Sequence, residues 1–193
     1  MSTLARPRFC PRCGTRLIPR EDHGQSRPTC PACGLILYRN PVPAAGVILV
    51  ERRGVLMVRR RYAPAARAWC LPAGFMEYGE TPRRCARREL LEETGIAARL
   101  TGLFGVYAGR DDPRARAVLI LYTGVRVGGR LKPGDDALEA RFFPLEQPPR
   151  RIAFASHRQA LEELRAASSR PGASATPRRR IGVTRPARRA SSP

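Results

Sequence analysis

Apolar residues in this chain gather in short runs broken by Gly, Pro and charged turns. Residues 44–51, AAGVILVE, form a run bounded by Arg52 and Arg53 and read as a buried strand. Residues 54–61 read as its hairpin partner, and residues 69–73 as a short strand ending at Gly74. Thr81 stands as an N-cap with Pro82 in the first helical position, and Gly95 closes the helix they open. Residues 100–107 and 117–127 read as further strands, and residues 139–143 as a short one. Residues 156–167 carry helical spacing at Leu161, Leu164 and Ala167. Strands and two helices in mixed order, with hairpins, predict an α/β layered domain around a mixed sheet.

Composition agrees with a folded chain: 42 % of the 193 residues are apolar, enough to bury a core. No apolar run approaches the roughly 18 residues that span a bilayer, and residues 1–11 hold no apolar stretch of the secretory kind. A cytoplasmic protein without a membrane partner is the expectation. Two histidines, His23 and His157, exclude a three-histidine catalytic zinc centre. Lys132, the single lysine, sits in a Pro/Gly turn and is a poor candidate for amine catalysis.

The net charge of +20 is unevenly spread. Residues 1–41 carry 7 basic and 2 acidic side chains, residues 42–164 carry 21 and 14, and residues 165–193 carry 8 and none. Residues 168–193 are rich in Pro, Ser, Ala and Gly, lack hydrophobic periodicity, and are expected to be a basic disordered tail. Such a tail can hold nucleic acid through counterion release. Arginine is abundant along the whole chain, however, and the tail has no aromatics to stack on bases, so nucleic acid is a secondary expectation.

Four of six cysteines form two C-P-x-C-G knuckles, Cys10 to Gly14 and Cys30 to Gly34, with 16 residues between Cys13 and Cys30. Each pair brings two thiolates to one ion through a tight turn, and the following glycine permits a left-handed backbone from which amides point at sulfur. Cys10, Cys13, Cys30 and Cys33 thus supply four soft ligands suited to structural Zn²⁺ with no position left for substrate. Two disulfides would need an oxidising compartment, and a redox dithiol would need one pair. Residues 6–40 resemble a zinc ribbon. Cys70 and Cys85 read as small buried hydrophobes.

The densest chemistry lies at residues 74–96, GFMEYGETPRRCARRELLEETGI. Glu89, Glu92 and Glu93 fall at i, i+3 and i+4 of the expected helix, within an arc of roughly 100°. Like charges so placed repel mildly, and a divalent cation reverses the sign; hard carboxylate oxygens suit Mg²⁺ or Mn²⁺. A solvated acidic stripe paired with Arg87 and Arg88 is the alternative.

The stretch matches, at all nine specified positions, the signature of the Nudix hydrolases, G-x5-E-x7-R-E-U-x-E-E-x-G-U with U aliphatic. Gly74, Glu80, Arg88-Glu89-Leu90, Glu92-Glu93 and Gly95-Ile96 fill it. The resemblance implies an α/β/α sandwich around a mixed sheet over residues 41–167. It implies Mg²⁺ ligation by Glu89, Glu92, Glu93 and the Ala73 carbonyl, with Glu80 and Arg88 as a supporting ion pair. Glu93 and Glu89 are also the expected catalytic acids, with Glu77 nearby. Glu139 is the expected downstream acid, as metal ligand or general base. Family members often dimerise, so a homodimer is expected as an option.

A zinc ribbon ahead of a Nudix domain resembles the NADH pyrophosphatases and the FAD and ADP-ribose pyrophosphatase group. The first typically carries S-Q-P-W-P-F-P after the signature, which this chain lacks. Residues 107–114 resemble instead the Y-x-x-x-R-D-P-R region of ADP-ribose pyrophosphatase-like proteins, and residues 152–156, IAFAS, resemble L-A-F-x-S. Tyr107, Arg114 and Phe154 are the substrate-binding candidates that follow; core roles for Tyr107 and Phe154 are equally open. The expected activity is Mg²⁺-dependent cleavage of a nucleoside diphosphate linked to another group, ADP-ribose or FAD foremost. NADH cleavage is the alternative, and a nucleotide-sensing or nucleic-acid-binding regulator is a third reading.

Overall fold

A computed structural model describes residues 7–169 except 53, 113, 114 and 135. Arg114 and residues 170–193 of the basic tail lie outside the described residues. An N-terminal ribbon comprises β1 (Ile18–Asp22) and β2 (Gln25–Thr29), paired antiparallel. His23 and Gly24 between them both have positive φ, 47° and 72°, as a two-residue hairpin turn of type I′ requires.

The remaining strands form one mixed sheet. β3 (Val42–Glu51) lies at its centre, parallel to β8 (Ala117–Gly129) and antiparallel to β4 (Gly54–Arg60). β7 (Ile96–Gly109) flanks β8; β5 (Trp69–Cys70) and β9 (Ala137–Pro144) pair with β4; β6 (Ala73–Phe75) pairs with β3. The expected strand over residues 69–73 is therefore two. Pro72 has no N–H to give a ladder, its carbonyl accepts from the Val47 amide, and the chain crosses there from β4 to β3.

β3 reads as a continuous apolar run because both its faces are covered. Ala45, Val47 and Leu49 pack with Cys85, Ala86 and Leu90 of α1 (Pro82–Thr94). Ala44 and Ile48 pack on the other side with Ala160, Leu161 and Leu164 of α2 (Ala155–Ser168). The result is the expected α/β/α sandwich. Leu90 is fully buried, and its truncation to Ala would cost about 2–5 kcal/mol. No helix among the described residues is long and apolar enough to cross a membrane.

Candidate active site

The site grows from the entrance to α1. The Thr81 hydroxyl accepts the Arg84 amide at 3.3 Å, and Gly95, left-handed at φ 68°, donates its amide to Leu91. These two caps fix which residues face the sheet. Arg88 then ties helix to loop. Its Nε and Nη2 fork onto Glu80 at 3.0 and 2.9 Å, Nη2 also reaches the Phe75 carbonyl at 3.0 Å, and Nη1 holds Glu89 at 2.7 Å and Glu92 at 3.0 Å. Hydrogen bonding to Arg88 holds the Glu80 carboxyl down to about 2.

Glu89 and Glu93 lie one turn apart and line a cleft of about 390 Å³. Glu93 Oε2 accepts the Ala73 amide at 3.0 Å, which draws β6 against the helix. Burial, and then the charge of Glu89, pushes the Glu93 carboxyl up to about 8. Burial also raises Glu89, against the pull of Arg88. Two neighbouring acids raised in this way hold charge at a cost that a cation would remove. The donors are hard oxygens, so they fit Mg²⁺ or Mn²⁺. Glu92 is more exposed, on the Arg88 side.

Residues 40–164 match the NUDIX domain family. The chain belongs to it. An ADP-ribose pyrophosphatase of Methanocaldococcus jannaschii is 40 % identical over 119 residues, 61 % of this chain and 70 % of that one. The NAD-capped RNA hydrolase NudC of Pseudomonas aeruginosa is 31 % identical over 144 residues, 74 % of this chain but 49 % of the relative. This chain thus spans about half the length of that relative. Among solved structures, a NUDIX hydrolase from Nitrosomonas europaea matches with TM-score 0.73 and 34 % identity, covering 83 % of this chain and 91 % of that one. A MutT NUDIX hydrolase from Burkholderia pseudomallei matches with TM-score 0.60 and 28 % identity, over 65 % of this chain and 99 % of its own. NUDIX membership makes the protein a hydrolase of pyrophosphate bonds, in a family that uses divalent metals.

The NUDIX loop and helix bring Glu80, Arg88, Glu89, Glu92, Glu93 and Ala73 together. Glu139 is elsewhere: on β9 it pairs with Arg59 at 2.5 Å and is absent from the cleft wall. The acid that reaches the cleft from this region is Asp136, whose charge Glu93 feels. Its loop is tied down by bonds from the Lys132 and Gly134 amides to the Thr94 and Glu93 carbonyls, and from the Arg61 amide to Asp136. Tyr107 is in the core, 5 % exposed, its hydroxyl donating to Glu163 of α2 at 2.9 Å, and it does not line the cleft. Phe154 does line it, at the foot of α2.

The sequence reading missed Arg60, Asp111 and His157 on the same wall. Asp111 accepts the Ala155 amide at 2.6 Å and caps α2, a task Phe154 cannot perform. Buried His157 accepts the Leu71 amide on Nδ1 at 3.1 Å, which assigns its proton to Nε2; burial, then Arg60, lowers it to about 4. Helical spacing marked α2, but no local signal tells which of its polar residues faces a cleft.

In the ribbon, the four sulfurs of Cys10, Cys13, Cys30 and Cys33 lie within 4.8 Å of one another. Cys10 to Cys33 is 3.6 Å and Cys13 to Cys30 is 3.5 Å. A tetrahedron with Zn–S arms near 2.3 Å has edges of about 3.8 Å, so the cluster fits one zinc ion. Gly14 and Gly34 both stand at φ 72°, the left-handed turn the knuckles need.

Proposed function

We propose that this NUDIX protein is a cytoplasmic, Mg²⁺- or Mn²⁺-dependent pyrophosphohydrolase that splits a nucleoside diphosphate joined to another group, ADP-ribose or FAD foremost. The observation that carries the reading is the convergence of Glu89 and Glu93 in one cleft beside Ala73, with both carboxyls raised. Glu89, Glu92 and Glu93, with the Ala73 carbonyl, would hold the divalent ion. When bound, that ion neutralises the diphosphate and acidifies water. Arg88 and Glu80 keep the helix glutamates aimed at the cleft. Asp136, in place of Glu139, is the downstream acid positioned to take a proton from the attacking water. Similarity to the ADP-ribose pyrophosphatase of Methanocaldococcus jannaschii supports ADP-ribose. Residues 6–40 serve as a ribbon whose four cysteines hold structural Zn²⁺, and residues 41–167 as the hydrolase domain.

NADH or NAD-linked substrates form a second reading, favoured by similarity to the NudC protein of Pseudomonas aeruginosa, which matches over 74 % of the chain. Turnover of ADP-ribose, FAD and NADH, measured side by side with Mg²⁺, tests both. ADP-ribose or FAD is expected to be split faster than NADH, and Glu93→Gln to lower kcat by about 10²–10⁴-fold. No turnover of any of the three, together with a shifted RNA or DNA band at low salt, would move the assignment to a binding module.

A further inference from the structure

Residues 71–73 carry the chain from the β4 ladder to the β3 ladder, and side chains hold their amides. Leu71 gives its N–H to Nδ1 of His157 at 3.1 Å, and Ala73 gives its N–H to Oε2 of Glu93 at 3.0 Å. Pro72 between them has no N–H to give. His157 belongs to α2 and Glu93 to α1, so both helix layers grip one short segment, on either side of a proline. β3 fixes its middle. The Val47 amide reaches the Pro72 carbonyl at 3.1 Å, and a Cβ on Gly46 would lie 2.4 Å from that oxygen.

Leu71 is fully buried and His157 is 5 % exposed, so the Leu71 amide needs an acceptor from the protein and the imidazole is it. Packing sets the imidazole in turn: its centre lies 5.4 Å from that of the Phe154 ring, tilted at 48°. Proline locks its own φ, so the link from Leu71 to Ala73 is stiff and a shift of one moves the other. Ala73 then carries the shift to the metal site, through its carbonyl and through the amide that holds Glu93. We propose that His157 is a positioning residue for the divalent-metal site: by holding the Leu71 amide it sets the Ala73 carbonyl and the Glu93 carboxylate. This rests on the pyrophosphohydrolase reading, which puts the ion at Ala73 and the α1 glutamates.

The test is Mn²⁺ binding to the full chain without nucleotide, read by electron paramagnetic resonance, beside turnover of ADP-ribose, FAD and NADH. Binding that Glu93→Gln removes is counted as the cleft's. His157→Gln keeps a polar side chain but carries its amide to the place of Nε2, away from the Leu71 N–H. Its Mn²⁺ affinity should fall about 10- to 100-fold, the scale for a group one step behind a metal ligand. His157→Asn puts a carbonyl where Nδ1 stood and should restore most of the affinity. Leu164→Val loosens the same helix without altering a hydrogen bond, so it should melt earlier and bind Mn²⁺ like wild type. Wild-type affinity in His157→Gln overturns the inference. Equal weakening in His157→Asn or in Leu164→Val overturns it too, because the Leu71 bond would not be the cause. If melting curves show that His157→Gln does not fold, Pro72→Gly decides: it breaks the stiff link with His157 intact, and wild-type affinity there overturns the inference. A wild type that holds no Mn²⁺ in the cleft overturns the inference and the hydrolase reading together. A wild type that shows the contrast between Gln and Asn, yet splits no dinucleotide, upholds the inference and removes the hydrolase reading alone.

Discussion

Gly74 faces the carboxylate of Glu89 so closely that a Cβ on Gly74 would lie 2.3 Å from its Cδ. The glycine is therefore required by close approach: the loop strand β6 and the helix acid share space that no other side chain permits. Glu89 sits at the end of a flexible side chain, so Gly74→Ala can fold by pushing that carboxylate aside. Its thermal midpoint should stay within a few degrees of wild type while kcat falls about a hundredfold, the scale expected for roughly 1 Å of misplacement. Full activity in Gly74→Ala would remove Glu89 from the catalytic arrangement.

Much of this was legible in the chain. Thr81-Pro82 and Gly95 bound α1 as read, because capping is local chemistry carried by adjacent residues. Three glutamates at helical spacing were legible as a set for the same reason. What escaped depended on the direction of strands. Glu139 lies only three residues from Asp136, but strand pairing sets it against Arg59, off the cleft wall. Tyr107 alternates inward on β7, where α2 covers it. Arg60 and His157 come from segments 97 residues apart, and only the packing of α2 beside β4 joins them.

Arg88 gives a second prediction. One guanidinium serves Glu80, Glu89, Glu92 and the Phe75 carbonyl at once. A lysine ammonium is a point donor and cannot span that set. Arg88→Lys should lower kcat by tenfold or more and raise the Mg²⁺ concentration needed for half activation, as about 1.4 kcal/mol of lost positioning implies. A magnesium titration of initial rates checks it. An unchanged half-activation point would show that the ion pair has no part in aiming the glutamates.

Zinc content gives a third. Metal analysis of the purified chain should find about one zinc per protein, and Cys30→Ser should lose it. Cys30 is 1 % exposed, so the substitution leaves three thiols around a site that can no longer close. A ribbon of this size has little core of its own, so its protection from protease should disappear with the metal. Equal protease resistance in wild type and Cys30→Ser would separate ribbon folding from metal.

His157 makes the fold sensitive to acid. Its ordinary value of 6.5 falls to about 4 when buried against Leu71 and near Arg60. The folded state therefore refuses a proton that the unfolded chain accepts. Its contribution is present above pH 6.5 and is lost as pH falls from 6.5 to about 4, on the order of 3 kcal/mol in all. Glu80 acts in the same sense at lower pH, between 4.5 and about 2. Glu93, raised to about 8, acts oppositely in the metal-free protein: its penalty grows as pH rises from 4.5 to about 8. His157→Asn keeps an acceptor for the Leu71 amide and removes the titration at that position. Urea unfolding of the metal-free protein from pH 8 to pH 4 should show wild type losing stability relative to His157→Asn below pH 6.5. The slopes from Glu80 and Glu93 are common to both proteins and cancel in the difference. Parallel curves across that window would mean that His157 is already protonated in the folded state, and that its Nδ1 is not the acceptor for Leu71.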